Sequence, residues 1–259
     1  APDCPDLNRE ASRRVFFEAS NMETKLSSLV DRLKSAAGDN LKAVVLYGSA
    51  VTGEFIEQHS DLNVLCIVER AGAGDLEKLH PVAESWMREG NPAPLIFTLD
   101  ELRRSADVFA IELLDMKNHH RMLHGDDFLE GLNVPLGLHR LQVERELRTN
   151  WLRLRQAVLA APHKKNIQLR IMLDSVATFC VLFRHALMAL GQPAPGSKRE
   201  AVQAIAKAAG ADPSGFQSIL DFREGKRKEK DIEIEPTLQT YLEFVEVVTN
   251  DVDRRLETS

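Results

Sequence analysis

Cysteine is scarce. Cys4, Cys66 and Cys180 are the only three in 259 residues, and they lie far apart. An odd, scattered set excludes a disulfide framework. Cys66 and Cys180 sit in apolar runs, so buried reduced thiols are expected, in keeping with a cytoplasmic compartment. Long hydrophobic runs are also missing. None approaches the roughly 18 residues needed to cross a membrane, so no membrane association is expected. The first residues, Ala1-Pro2-Asp3-Cys4-Pro5-Asp6, are polar and carry no secretory signal. Excess positive charge is absent too: 33 Lys and Arg stand against 39 Asp and Glu, for a net charge of −6. That balance argues against a general nucleic-acid binder. The basic stretch from Arg223 to Lys230 is broken by Glu224 and Glu229, and reads as a solvated loop. There is no Gly-Lys-Ser or Gly-Lys-Thr phosphate loop, no internal repeat and no low-complexity tract. No Ser-His-Asp or Cys-His arrangement can be argued.

What is present divides the chain in two. Up to about residue 134, apolar runs alternate with helical periodicity. Val15, Ala19, Met22, Leu26, Leu29 and Leu33 recur at spacings of three and four, which predicts a helix. Ser20-x-x-Glu23 inside it has the form of a capping box, and leaves one helix or two open. Leu41–Tyr47 reads as a buried strand, Val51–Glu57 as a short helix, and Asp61–Glu69 as a second strand. Leu76, Leu79, Ala83 and Trp86 mark a helix that Glu89-Gly90-Asn91-Pro92 stops. Pro94–Thr98 reads as a third strand. Thr98-x-x-Glu101 caps a helical region reaching about Asn118, and Arg121–Gly125 reads as a short extended piece. His119, His120 and His124 near Asp126 and Asp127 read as surface histidines beside a turn rather than a metal site.

From Pro135 onward the strand signal vanishes. Helices are lined by Leu141, Leu147, Trp151, Leu154 and Val158, then by Ile167, Ile171, Val176, Cys180, Phe183, Leu187 and Leu190. Shorter ones follow at Val202, Ile205 and Ala209 and at Phe216, Ile219 and Leu220, then a long one from Leu238 to Leu256. The arginines at 140, 145, 148, 153 and 155 read as a solvated or salt-bridged face with Glu144 and Glu146. The expected architecture is α+β: a small mixed β-sheet domain over 1–134 and an all-α helical bundle over 135–259.

The chemistry concentrates between Val44 and Leu65. Gly48-Ser49 ends one strand, Gly53 follows, and Ser60-Asp61 opens the next strand. Glycine lets backbone approach a ligand closely. A helix start after it offers unpaired amides that suit phosphate, and the Ser49 hydroxyl adds a donor. Asp61 and Asn63 should share one face of their strand, because side chains repeat with period two.

This order resembles the nucleotidyltransferase superfamily, which includes DNA polymerase beta and the aminoglycoside nucleotidyltransferases. The family pattern is strand, Gly-Ser, Gly, then Asp-x-Asp on the next strand and a third acid on a later one. Gly48, Ser49, Gly53, Asp61 and Asn63 fall at its positions. Asn63 stands where the second acid belongs, and by the resemblance Ile96 stands where the third does. The resemblance implies a nucleotide site at Gly48, Ser49, Gly53 and Ser60, with ATP or another NTP as ligand. It also implies a Mg2+ site at Asp61 and Asn63, weakened by the missing carboxylates. Three functions remain open: a nucleotide-binding or scaffolding protein with weak or no catalysis, an active nucleotidyltransferase with Asp61 as catalytic metal ligand, and an interaction module without nucleotide affinity. A homodimer or a partner protein through the helical half is left open as well.

Overall fold

The computed structural model describes residues 5–52, 61–161 and 163–257. The chain forms two compact units. One comprises residues 1–106 and 112–133, the other residues 107–111 and 134–259.

The first unit is built on a four-stranded sheet. Its strands are β1 (Leu41–Tyr47), β2 (Asn63–Val68), β3 (Leu95–Thr98) and β4 (His120–Gly125), in the order β3-β2-β1-β4. β1 runs antiparallel to β2 and β4, while β2 and β3 are parallel. A parallel pair needs a crossover, and α2 (Ala73–Arg88) supplies it. On one face Val44, Leu46, Val64, Cys66 and Val68 pack against Leu26, Leu29 and Leu33 of α1 (Pro5–Ala37) and Leu79, Val82 and Trp86 of α2. On the other face Ala43, Val45, Leu65 and Ile67 are also fully buried. The sheet is therefore covered on both sides, which explains why β1 and β2 read as nearly continuous apolar runs. At the far end of β4, Gly125 has φ of +78°, and a Cβ there would stand 1.9 Å from the Lys42 carbonyl oxygen. Only glycine fits this approach.

Several expectations change. α1 is a single helix through Ser20, whose carbonyl accepts the Thr24 hydroxyl at 2.9 Å. The sequence Ser-x-x-Glu is thus a mid-helix feature. Thr98 does cap a helix, accepting from the Glu101 amide, but that helix, α3 (Leu99–Arg104), ends at Ser105. A separate α4 (Ala110–Asn118) follows.

The second unit contains α5 (His139–Ala160), α6 (Lys165–Ala189), α7 (Lys198–Ala209), α8 (Ser214–Arg223) and α9 (Ile234–Glu257). α6 is long and apolar enough to cross a membrane by composition. In this fold it is the core helix, with Met172, Val176, Phe179, Cys180, Phe183 and Leu187 buried among the other four. At the centre Phe216 stacks on Tyr241 with ring centroids 4.0 Å apart and planes 4° apart. The Tyr241 hydroxyl lies 2.8 Å from Ser175 Oγ, so its polar end is satisfied inside an apolar core. Leu141, expected to line the core, is 63% exposed; Val143, Leu147 and Leu154 form the buried edge of α5.

Candidate functional site

The candidate site forms where β1 ends and β2 begins. Gly48 follows the last residue of β1 with φ of +80°. That left-handed conformation disfavours any side chain, so the glycine is required by the turn itself. Gly48–Ala50 form one turn of 3-10 helix, closed by the Val51 amide donating to the Gly48 carbonyl at 3.1 Å. Gly48, Ser49 and Ala50 are each half-buried. Val51 and Thr52 continue as a turn, and the rest of the span expected to form a short helix, residues 53–57, lies outside the described residues. Gly53 and Ser60, both expected in the site, also lie outside them.

Across the sheet, Tyr47 pairs with Asn63 on one side and His120 on the other. Partners opposite one another in a sheet share a face, so Asn63, Tyr47 and His120 form one row. Leu62 sets the direction of the segment before β2. Its side chain is buried in the α1 and α2 core, and its amide donates to Asn91 Oδ1 at 3.2 Å. With Leu62 turned inward, Asn63 turns to the opposite face, while Asp61 is exposed. Asn63 Nδ2 donates to the Asp61 carbonyl oxygen at 3.4 Å. The same nitrogen is 3.5 Å from where a Cβ on Gly48 would stand. The glycine turn and position 63 are thus immediate neighbours. Burial pushes the Tyr47 phenol above its ordinary value.

Ile96 is not part of this row. It pairs with Cys66 in β2 and packs against the α1 and α2 core. Asn63 is three residues before Cys66, so the two lie on opposite faces. On β3 the residues on the Asn63 face are Leu95, opposite Leu65, and Phe97, opposite Ile67. The register inferred for the third acid is therefore displaced by one residue, and the positions on the correct face are also apolar.

The histidine cluster differs from its sequence reading. His120 and His124 lie on β4, and a register shift opposite Val44 and Val45 falls between them. His120 is no surface residue: its side chain is 13% exposed and held at both nitrogens. Nε2 is 2.8 Å from Asp127 Oδ2, and Nδ1 is 3.2 Å from the Lys117 carbonyl oxygen. Burial pushes the Asp127 carboxyl up, but the hydrogen bond from His120 and the amides of Glu130 and Leu129 together hold it below the ordinary carboxylate range. These contacts fix the chain after β4 beside the row. The sequence hid this because a His-Asp contact seven residues apart has no periodic signature.

No group of three or more His, Cys, Asp or Glu side chains able to hold a metal ion occurs among the described residues. Among the described residues the donors at the site are one exposed carboxylate, Asp61, and one amide, Asn63. A pair of magnesium ions needs several shared, charged oxygen ligands. The donors present do not fit such a pair.

No family model and no curated protein matches this chain. Among solved structures, it is similar to the spectinomycin adenyltransferase AAD(9) from Enterococcus faecialis, whose structure holds ATP and spectinomycin. That match has a TM-score of 0.50 and 16% identity, and covers 90% of this chain and 99% of the other. A structure of a toxin–antitoxin with AMP-PNP matches at a TM-score of 0.30 and 14% identity, over 52% of this chain and 98% of that one. The first match establishes the fold. This is a nucleotidyltransferase fold, with a mixed four-stranded sheet and helices followed by a helical region, as in the adenyltransferase.

Proposed function

We propose that the first unit binds a nucleoside triphosphate at the Gly48 turn, and that the chain transfers nucleotide weakly or not at all. One observation carries this reading: the Asn63 amide stands beside the left-handed Gly48 turn, where two-ion chemistry would need a carboxylate. The turn offers close backbone approach for a phosphate, and Ser49 adds a hydroxyl. The metal side keeps one carboxylate, Asp61, among the described residues. ATP is the nucleotide to test first, because the adenyltransferase of the same fold was solved with it. Each missing electrostatic element removes roughly 2.7–4 kcal/mol of transition-state stabilisation.

The restoring experiment follows from the pleat. Asn63→Asp returns the second acid. Leu95→Glu places a third on the same face of the neighbouring strand, at a position already 37% exposed. The double variant should bind a non-hydrolysable ATP analogue more tightly in Mg2+ than without it. Loss of all nucleotide affinity in the double variant would count against a nucleotide site here.

A second reading is an active enzyme that moves a nucleoside monophosphate onto a hydroxyl group. Asp61, exposed and two residues before Asn63, favours it. Labelled product formed by the wild-type chain and abolished by Asp61→Ala would establish it.

A further inference from the structure

α5 carries a face that its own core does not use. Leu141, Leu152 and Leu159 are 63%, 55% and 87% exposed. They are spaced by eleven and seven residues. At 3.6 residues per turn such positions fall within about 20° of one line, and the line runs for about 27 Å. Gln142, about 100° around the helix from this line, donates to the carbonyl oxygens of Asp107 and Val108 at 2.6 and 2.7 Å. This holds exposed Val108 beside the first turns of the helix.

Arginines flank the leucines. Arg145, Arg148 and Arg155 project within about 40° of the same line, and all three are exposed. Arg148 is committed: it pairs with Glu144 at 3.7 Å and also with Asp253 of α9. The Arg155 guanidinium stands over the Trp151 ring, 5.6 Å from its centroid, which fixes its position. Among the described residues no carboxylate pairs with Arg145 or Arg155. α5 holds five arginines and two glutamates, whereas the whole chain carries −6.

A second copy of this chain is a poor occupant. An antiparallel two-fold pairing that sets Leu141 against Leu159 of the other copy also sets Arg145 against Arg155. A parallel pairing sets each arginine against itself. Like charges facing each other in a contact oppose association. The complementary surface has leucine-like side chains along one edge and carboxylates on both sides.

We propose that this face of α5 docks an acidic amphipathic helix of a partner protein. The partner's apolar edge would cover Leu141, Leu152 and Leu159, and its Asp or Glu side chains would meet Arg145 and Arg155 in charge-assisted, forked hydrogen bonds. Arginine is among the residue types that most often carry the energy of a contact. This proposal does not depend on nucleotide binding by the other unit.

The test uses the full chain and a labelled, designed helical peptide with leucines at i, i+4, i+7 and i+11 and glutamates on both flanks. A second peptide has lysines in place of the glutamates. Fluorescence anisotropy should show binding of the glutamate peptide, weakened by salt, and no binding of the lysine peptide. Arg145→Glu with Arg155→Glu should lower affinity at least about tenfold and admit the lysine peptide. Leu152→Ala should also lower it. These positions are exposed, so the fold should persist in each variant. Equal binding of both peptides, or binding of neither, would overturn the proposal. So would a dimer in sedimentation that Leu152→Ala dissolves, or capture by anionic vesicles without peptide binding.

Discussion

Asn63 and Ile96 lie on opposite faces of the same sheet: Asn63 shares a row with Tyr47, whereas Ile96 packs with Cys66 against α1 and α2. The difference decides where an acid can be restored. Ile96→Glu would force a carboxylate into an apolar contact and should cost about 2–3 kcal/mol of stability. Leu95→Glu, at an already exposed position, should cost about 1 kcal/mol or less. Urea denaturation of the two variants measures the contrast, and equal losses would contradict the assigned register.

Inside the helical unit, His139 Nε2 lies 2.9 Å from His185 Nδ1, with both residues buried. Burial, and then the neighbouring His185, lower the His139 pKa from 6.5 to about 4. The unfolded chain takes up this proton near pH 6.5, while the folded chain takes it up only near 4. The unfolded state therefore binds more protons within that window, and folding stability must fall as pH drops through it. Denaturation midpoints between pH 7.5 and 4.5 should show the fall, and His139→Gln should reduce it. A pH-independent midpoint across that range would rule the linkage out.

Removing the Tyr241 hydroxyl separates ring from hydrogen bond. Tyr241→Phe keeps the stack on Phe216 and loses the contact to Ser175 Oγ. The expected loss is about 1 kcal/mol, more if Ser175 is left unsatisfied. Tyr241→Ala also opens a cavity and should cost about 3–5 kcal/mol. Thermal unfolding of the two variants checks the order.

Gly125→Ala should destabilise the first unit by at least about 2 kcal/mol, because its Cβ would meet the Lys42 carbonyl oxygen. Gly131→Ala is the control, since nothing lies within 4 Å of a Cβ there. Chemical denaturation should leave the control close to wild type.

These contrasts also show which features could be read before folding. β1 and β2 declare themselves because both faces are buried, which makes their runs almost wholly apolar. The turn at Gly48 was legible from Gly-Ser after such a run. β4 was faint because His120, Arg121 and His124 are polar, and their neighbours appear only once the chain closes. Arg121, for instance, is held by Glu23 of α1 at 2.6 Å, a partner 98 residues away. The face of Ile96 is not legible in the sequence, because a shift of one residue reverses a strand and nothing local fixes the register of a parallel pair. Leu141 is apolar and so suggests a core position, but six residues to Leu147 and thirteen to Leu154 set it more than 100° away from them, and the buried line runs through Val143 instead. Apolar spacing identifies a helix but does not say which of two stripes faces inward.

The proposed nucleotide site lies at the Gly48 turn and has a weakened metal side. Calorimetric titration of the wild-type chain with a non-hydrolysable ATP analogue, with and without Mg2+, tests it most directly. Measurable binding is expected in both conditions, with affinities within about tenfold of each other. Absence of binding in both would contradict it, and so would tight binding that requires Mg2+ and disappears in Asp61→Ala.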